Sequence, residues 1–360
     1  MALARNFVFQ VGAGTKESAY DTAASIDKRI NINVGNIPQE SVQVIADSDK
    51  VGGNEEPTDA VVFAKSVSFD LGINRVKPFA LGFFGAYGLG AIQSTEASTG
   101  QAADNVIHHS ITPVENDGDM SAFTFEAWKT TSVKTKYSGG LVSSFSLEVN
   151  RGSNRMVNFN ASIIGSGTTA TGGAAQAEPS EGQLNAASAG IWIDDTALAG
   201  GKATASARSQ NLDTTTSDLT SPTEISSSVR SVAWNFDNGV NADDLYRVGG
   251  GDVLAVGQRS GRNQTLSLDF DYSGDTYIDA LKSQTEYAFE LMVRGAAGTD
   301  SGYFHGFNLI FPVMQLLSVE VADDNGTLVN RMSFQIMDDD GGTHPSVYFD
   351  VFNEFNQYMA

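Results

Sequence analysis

The chain has no cysteine among its 360 residues, so its fold uses neither disulfides nor thiolate metal sites, a composition that suits assembly in a cytosol. Proline is scarce at 8, and no apolar run is long enough to span a bilayer, so no membrane insertion is expected. The N-terminal MALARNFVFQ lacks the long apolar core and cleavage site of a signal peptide. Basic residues are few: 22 Lys and Arg stand against 43 Asp and Glu, for a formal net charge of -21. No Lys/Arg cluster exists to displace counterions from phosphate, which excludes a basic nucleic-acid binder.

Signatures of chemistry are missing as well. Gly12–Lys16 (GAGTK) has neither the spacing nor the Lys-Ser/Thr pair of a phosphate loop, and Gly249–Gly251 has no following helix and reads as a turn. His108–His109 lie in a polar stretch without a spaced carboxylate or a third histidine, which argues against a metal. The acidic turns Asn116–Asp119, Asp323–Gly326 and Asp338–Gly341 lack the longer ligand set, ending in a bidentate Glu, that calcium requires. His305 and His344 are far apart, and there is no nucleophile elbow. No catalytic residue, metal ligand or cofactor site is expected.

What the sequence does contain is a β-pattern written twice. Ser66–Leu71 (SVSFDL) and Thr265–Phe270 (TLSLDF) both alternate apolar residues with Ser and Asp, as a strand with one buried and one wet face does. Each leads into a short apolar stretch with helical spacing. In the first, Asn74 is placed to cap a helix with Pro78 in its first turn and Val76, Phe79, Ala80 and Phe83 on one face. In the second, Ser273 or Asp275 is placed to cap, with Ile278 and Leu281 one turn apart. Further on, Phe145–Asn150 (FSLEVN) leads through a polar turn to Asn154–Arg155–Met156 and a strand with Val157, Phe159, Ala161 and Ile163 on one face. Leu317–Val321 (LSVEV) leads through Asn325–Gly326, a strong hairpin-turn signal, to Asn330–Arg331–Met332, Phe334 and Ile336. Strand, helix and hairpin thus share one order in both halves.

The expected organisation is mainly β: an N-terminal arm over 1–29, a first β-module over 30–166, a linker over 167–188, a second β-module over 189–342 and a C-terminal arm over 343–360. Each module is expected to carry a short flanking helix. The first is longer by about 27 residues, which fall in the small, polar stretch 89–118; long loops of this kind are usually functional. A Ser/Thr-rich loop over 203–228 precedes the strand Val229–Phe236.

Taken together, nearly the whole chain resembles the major tail tube proteins of long-tailed, non-contractile bacteriophages, in the variety whose fold is duplicated. The resemblance is carried by Gly14–Thr22 (GTKESAYDT), by the Gly-rich lead-in to the long hairpin at Tyr137–Leu147, by Val232–Gly239 (VAWNFDNG), by the unit around Asp275–Lys282, and by Leu309–Pro312 (LIFP). The cysteine that many relatives have in the Gly-rich turn is absent; Gly139–Gly140 stand there instead. The loops at 89–118 and 203–228 look peculiar to this chain.

The resemblance implies tandem β-sandwich modules whose sheets join those of neighbours into an inner β-barrel, in trimeric rings of pseudo-sixfold symmetry that stack into a tube. It implies arms that order on assembly and bridge adjacent rings, tape-measure and tail-end proteins as partners, passage of double-stranded DNA without specific binding, and a place in the virion after assembly in the host cytoplasm. The polar faces of the paired strands offer Asp70, Glu148, Asp269 and Glu320 as lumen-lining candidates, since an acidic wall repels phosphate. An extracellular or surface β-sandwich for glycan binding or array formation is the alternative, although Trp128, Trp192 and Trp234 are scattered rather than gathered into a platform. A two-domain β hydrolase is disfavoured for want of any visible site.

Overall fold

The structure, a computed structural model, describes residues 7–33, 37–46, 60–96, 106–114, 119–150, 156–195, 212–298, 302–338 and 344–360. The first half contains β1 (Val8–Val11), β2 (Lys28–Ile30), β3 (Gln39–Ala46), β4 (Ala60–Ile73), α1 (Pro78–Leu89), β5 (Gly90–Glu96), β6 (Ile107–Pro113), β7 (Phe123–Trp128), β8 (Lys134–Asn150), β9 (Val157–Gly165) and β10 (Thr169–Thr171). The second contains β11 (Ala189–Asp194), β12 (Thr223–Glu224), β13 (Val229–Asp237), β14 (Asn263–Asp271), α2 (Thr276–Ser283), β15 (Glu286–Ala297), β16 (Phe304–Asp324), β17 (Thr327–Ile336) and β18 (Tyr348–Asn353). The protein is mainly β, as its patterning requires.

An antiparallel inner sheet of eight strands runs across the chain in the order β3-β4-β9-β8-β13-β14-β17-β16. The order β3-β4-β9-β8 of the first half recurs as β13-β14-β17-β16 in the second. The two sets meet where β8 pairs with β13, Leu147 opposite Trp234 and Phe145 opposite Phe236. An outer layer covers one side. In the first half it runs β2-β1-β7-β8-β10, using the N-terminal part of the long β8. In the second it runs β12-β11-β15-β16-β18, using the N-terminal part of β16. Phe9 and Phe125 of the outer layer meet Phe69 of the inner sheet at 5.7 and 5.4 Å between ring centroids. In the second half, Phe311 and Phe349 meet Trp234 at 5.6 and 5.5 Å.

The β5–β6 hairpin occurs only in the first half, in the stretch where the extra residues were expected, and β6 pairs with β18 of the second half. Helix α1 lies where the halves join, and all twelve of its residues are buried. Lys77, not Asn74, is its N-cap and makes no side-chain cap bond, so the first turn is satisfied from elsewhere: the Glu181 carboxylate accepts the Phe79 N–H at 2.8 Å. Pro78 stands at its start as the sequence suggests, and Gly90 ends it at φ 99°. Helix α2 starts after Asp275 and has no fully buried residue; Tyr277, Ala280 and Leu281 pack on the core.

Correction is needed at both ends. The described residues of 1–29 and 343–360 are built into the body and do not stand off as arms. β1 and β2 belong to the outer layer. β18 sits between β16 and β6, because Val347–Phe352 carries apolar residues on both faces and makes an interior strand. Beyond it Tyr358 is 1% exposed and donates to the Phe79 carbonyl at 2.9 Å, while Met359 and Ala360 bond Ala13 and Gly14 through the backbone. Within 167–188, β10 pairs with β8, and Lys77 pairs with Glu178 at 2.5 Å.

Candidate functional site: the polar face and the open edges of the inner sheet

Strict alternation on the inner sheet separates two faces. Val67, Phe69, Leu71, Phe145, Leu147, Val232, Trp234, Leu266, Leu268, Met332 and Phe334 point into the core. The opposite face is mostly Ser, Asn, Thr and carboxylate, with Arg331 and Gln335 on β17. Asn160 donates to Ser146 at 3.3 Å, Asn150 donates to Glu148 at 2.6 Å, and Ser162 donates to Asp70 at 2.5 Å. An open concavity of about 720 Å³ runs over this face from β4 to β14, lined by Asp70, Ser146, Asn160, Ser162, Asp237 and Thr265 among others.

All four carboxylates singled out from the sequence lie on this polar face, but not in one row. Asp70 is opposite Ser162, and Glu148 is opposite Asn158 and Ala233. Asp269 and Glu320 are both opposite Arg331, which separates them in a single row. Asp237, not among those four, adds a carboxylate opposite Ser144 and Asn263. It is the next polar position in the alternation of Val229–Phe236. At the other end of β13 Arg230 pairs with Asp271 at 2.7 Å and with Asp324, tying β13, β14 and β16 together at a bulge. With Arg230 paired to two carboxylates and Arg331 set between Asp269 and Glu320, the acidic groups still outnumber the basic ones on this face.

The sheet has two open edges. Among the described residues β3 pairs only with β4, and β16 beyond Leu316 pairs only with β17. Apolar side chains are exposed at both. Near β3 they are Val42, Val44, Ile45, Val61, Val62 and Phe63; near β16 they are Leu317, Val321 and Leu328. An open edge with exposed apolar residues is a template for another chain. The alternation in Ser41–Ala46 (SVQVIA) announces a strand, whereas nothing in it announces that both faces stay uncovered.

The N-terminal motif proves to be a lock on the Gly-rich turn. Glu17 accepts from the Thr124 hydroxyl at 2.7 Å and from the Gly139 N–H at 3.0 Å, and its burial pushes its pKa up. Asp21 accepts from the hydroxyls of Ser138 and Thr168, each at 2.6 Å, and of Ser166. Gly139 has φ 66°, where a side chain would be strained, and an added Cβ would stand 2.8 Å from Ser166. The two adjacent histidines serve the fold in different ways. His108 stacks on Phe352 and lies 3.1 Å from Asp350, while His109 bonds Ser94 and Asn353 and burial pushes its pKa down to about 4.

Residues 10–335 match the family model described as phage tail tube protein. No curated protein matches the chain.

Proposed function

Because the chain belongs to the phage tail tube protein family, we propose that it is a structural subunit whose copies close into rings and stack into the tail's conduit for DNA. The observation that carries this reading is the β8–β13 seam. There the last strand of one four-strand set pairs with the first strand of the next. Read as one module present twice, the chain has the same two strand types left over at its ends, β16 and β3. Pairing β16 of one copy with β3 of the next would repeat the seam and continue the sheet around an axis until no edge remains. Two modules per chain make a pseudo-sixfold ring from three chains. The contact is head-to-tail, and it closes only if the rotation per module returns to its start.

The same closure turns the polar face inward. Asp70, Glu148, Asp237, Asp269 and Glu320 would then give the lumen an acidic wall over which phosphate slides without being held. The tape-measure protein would occupy this lumen during assembly, and tail-end proteins would cap the stack in the virion.

Electron microscopy of the purified protein at high concentration tests the reading. Hollow rings or tubes with threefold symmetry are expected. Placing carboxylates on the two edges, Val42→Asp with Leu317→Asp, should leave single chains of unchanged melting temperature. A wild type that stays monomeric at every concentration would refute it.

A further inference from the structure

The chain contains, in its own covalent seam, a pattern for a second contact. The segment between β13 and β14, residues 238–262, does not stay with the second half but lies across the first. Asn238 donates to the carbonyls of Gly88 and Val142 at 3.0 and 2.9 Å. Asp252 pairs with Lys65 at 2.6 Å, the Leu254 N–H bonds Ser166, and Tyr246 donates to the Lys65 carbonyl. Leu245 and Leu254 form an apolar cluster with Leu141 and Ala122, and Ile164 packs on it. This covering leaves Leu141 0% exposed.

The hairpins of the two halves correspond in register. Val142 opposite Ile163 matches Met314 opposite Ile336, and Leu147 opposite Phe159 matches Val319 opposite Met332. Leu141 and Ile164 therefore correspond to Val313 and Met337, which a backbone hydrogen bond of 3.0 Å joins. Among the described residues Val313 is nevertheless buried, at 7% exposed, whereas Met337 beside it is 39% exposed. By position in the sheet, the counterpart of the 238–262 segment is here the β3–β4 hairpin of another copy. Its arms carry the largest group of exposed apolar side chains in the described residues: Val42, Val44, Ile45, Val61 at 61%, Val62 and Phe63 at 45%.

We infer that the β3–β4 hairpin of one copy seats on the second half of its neighbour in the same ring, with Val61 to Phe63 covering the exposed Met337. The inference rests on the ring reading above and adds to it where the apolar arms of the hairpin go. It makes the hairpin a lateral clasp between copies, and it explains why these residues are apolar although no described residue of their own chain covers them. Each ring would then have two kinds of junction: three covalent seams closed by residues 238–262 and three between chains closed by the hairpin.

The absence of native cysteine makes the test clean. Phe63→Cys and Met337→Cys are introduced together, rings are assembled under reducing conditions and checked by electron microscopy, and a short bismaleimide is added. Within one chain the two positions lie five strand spacings apart, about 24 Å, so linkage reports on neighbours. Covalent products ending at three chains are expected. A ladder running beyond three would place the hairpin against another ring and overturn the inference. Intact rings without linkage would overturn it too, while leaving the ring reading standing. Failure of the wild type to form rings would sink both. A second variant, Val61→Ser with Phe63→Ser, changes only side chains exposed in the single chain. It should keep the melting temperature and need at least about tenfold more protein to form rings; unchanged assembly would refute the clasp.

Discussion

Glu181 and Glu290, both buried, give the folded chain a pH dependence of their own beside that of its surface charge. Glu181, between β10 and β11, holds the start of α1 and bonds the Glu354 N–H, and burial pushes its pKa up to about 7. Glu290, on β15, is 0% exposed and also raised to about 7 by burial. It accepts from the Ser217 hydroxyl at 2.6 Å, the Asp218 N–H at 2.8 Å and the Asn308 amide at 2.8 Å, strapping the 212–219 segment to the sheet. A raised carboxyl stabilises the fold in its protonated form. That contribution is full below the ordinary carboxyl value of 4.5 and is lost as pH rises through about 7. The loss is on the order of 3 kcal/mol for each group. His109 acts in the opposite sense: its depressed value removes stability as pH falls from 6.5 through about 4. Glu290→Gln imitates the protonated form, so thermal unfolding from pH 5 to 8 should show its melting temperature gaining on the wild type as pH rises. A gap that is constant with pH would count against this account.

At the scale of elements, α1 shows why a helix can be apolar all round. Its Phe83 and Phe84 rings meet Phe123 and Phe159 at 5.0 and 5.3 Å. Its other side is a row of glycines, Gly82, Gly85 and Gly88, where the rings of Tyr358, Phe349 and Phe145 come within reach of the backbone. These rings belong to the C-terminal segment, β18 and β8, so one helix fastens both halves. A methyl at Gly85 would stand 2.8 Å from the Phe349 ring. Gly85→Ala, which favours an isolated helix by about 1 kcal/mol, should therefore destabilise the protein by about 1–3 kcal/mol through overpacking. Chemical denaturation measures the sign, and a gain in stability would show that the ring yields. The β16–β17 hairpin follows local rules instead: Asn325 at φ 54° and Gly326 at φ 87° supply the left-handed turn that the Asn-Gly pair announces.

For the whole molecule, the informative quantity is which space the polar face meets. In the lumen reading Ser146 lies on an inner wall reached only through the open ends of a tube. Ser146→Cys is close to isosteric and would be the sole thiol in the chain. In assembled tubes it should react with a small maleimide and be shielded from a long polyethylene-glycol maleimide, and both should label the single chain. Equal reaction with the long reagent in tubes would put the face outside. An acidic wall acts over about 8–10 Å at physiological salt, so its effect on DNA belongs to the channel and not to single contacts.

Period-two alternation determined the strands, their buried faces and the side of the sheet on which Asp70, Glu148, Asp269 and Glu320 stand, because a pleated strand leaves each side chain only two directions. Local turn chemistry determined the Asn325–Gly326 hairpin, and helical spacing with Pro78 determined α1. Only the tertiary structure decided that β18 and the N-terminal strands belong to the body. Several of their partners are remote in sequence, as with Val8 opposite Trp128, Phe349 opposite Ile111 and Tyr358 against Phe79, and no local pattern encodes a distant partner. It also decided that Arg331 separates Asp269 from Glu320, since register across strands is set by packing. The same holds for the two bare edges: an apolar strand reads alike whether its own chain covers it or leaves it for another copy.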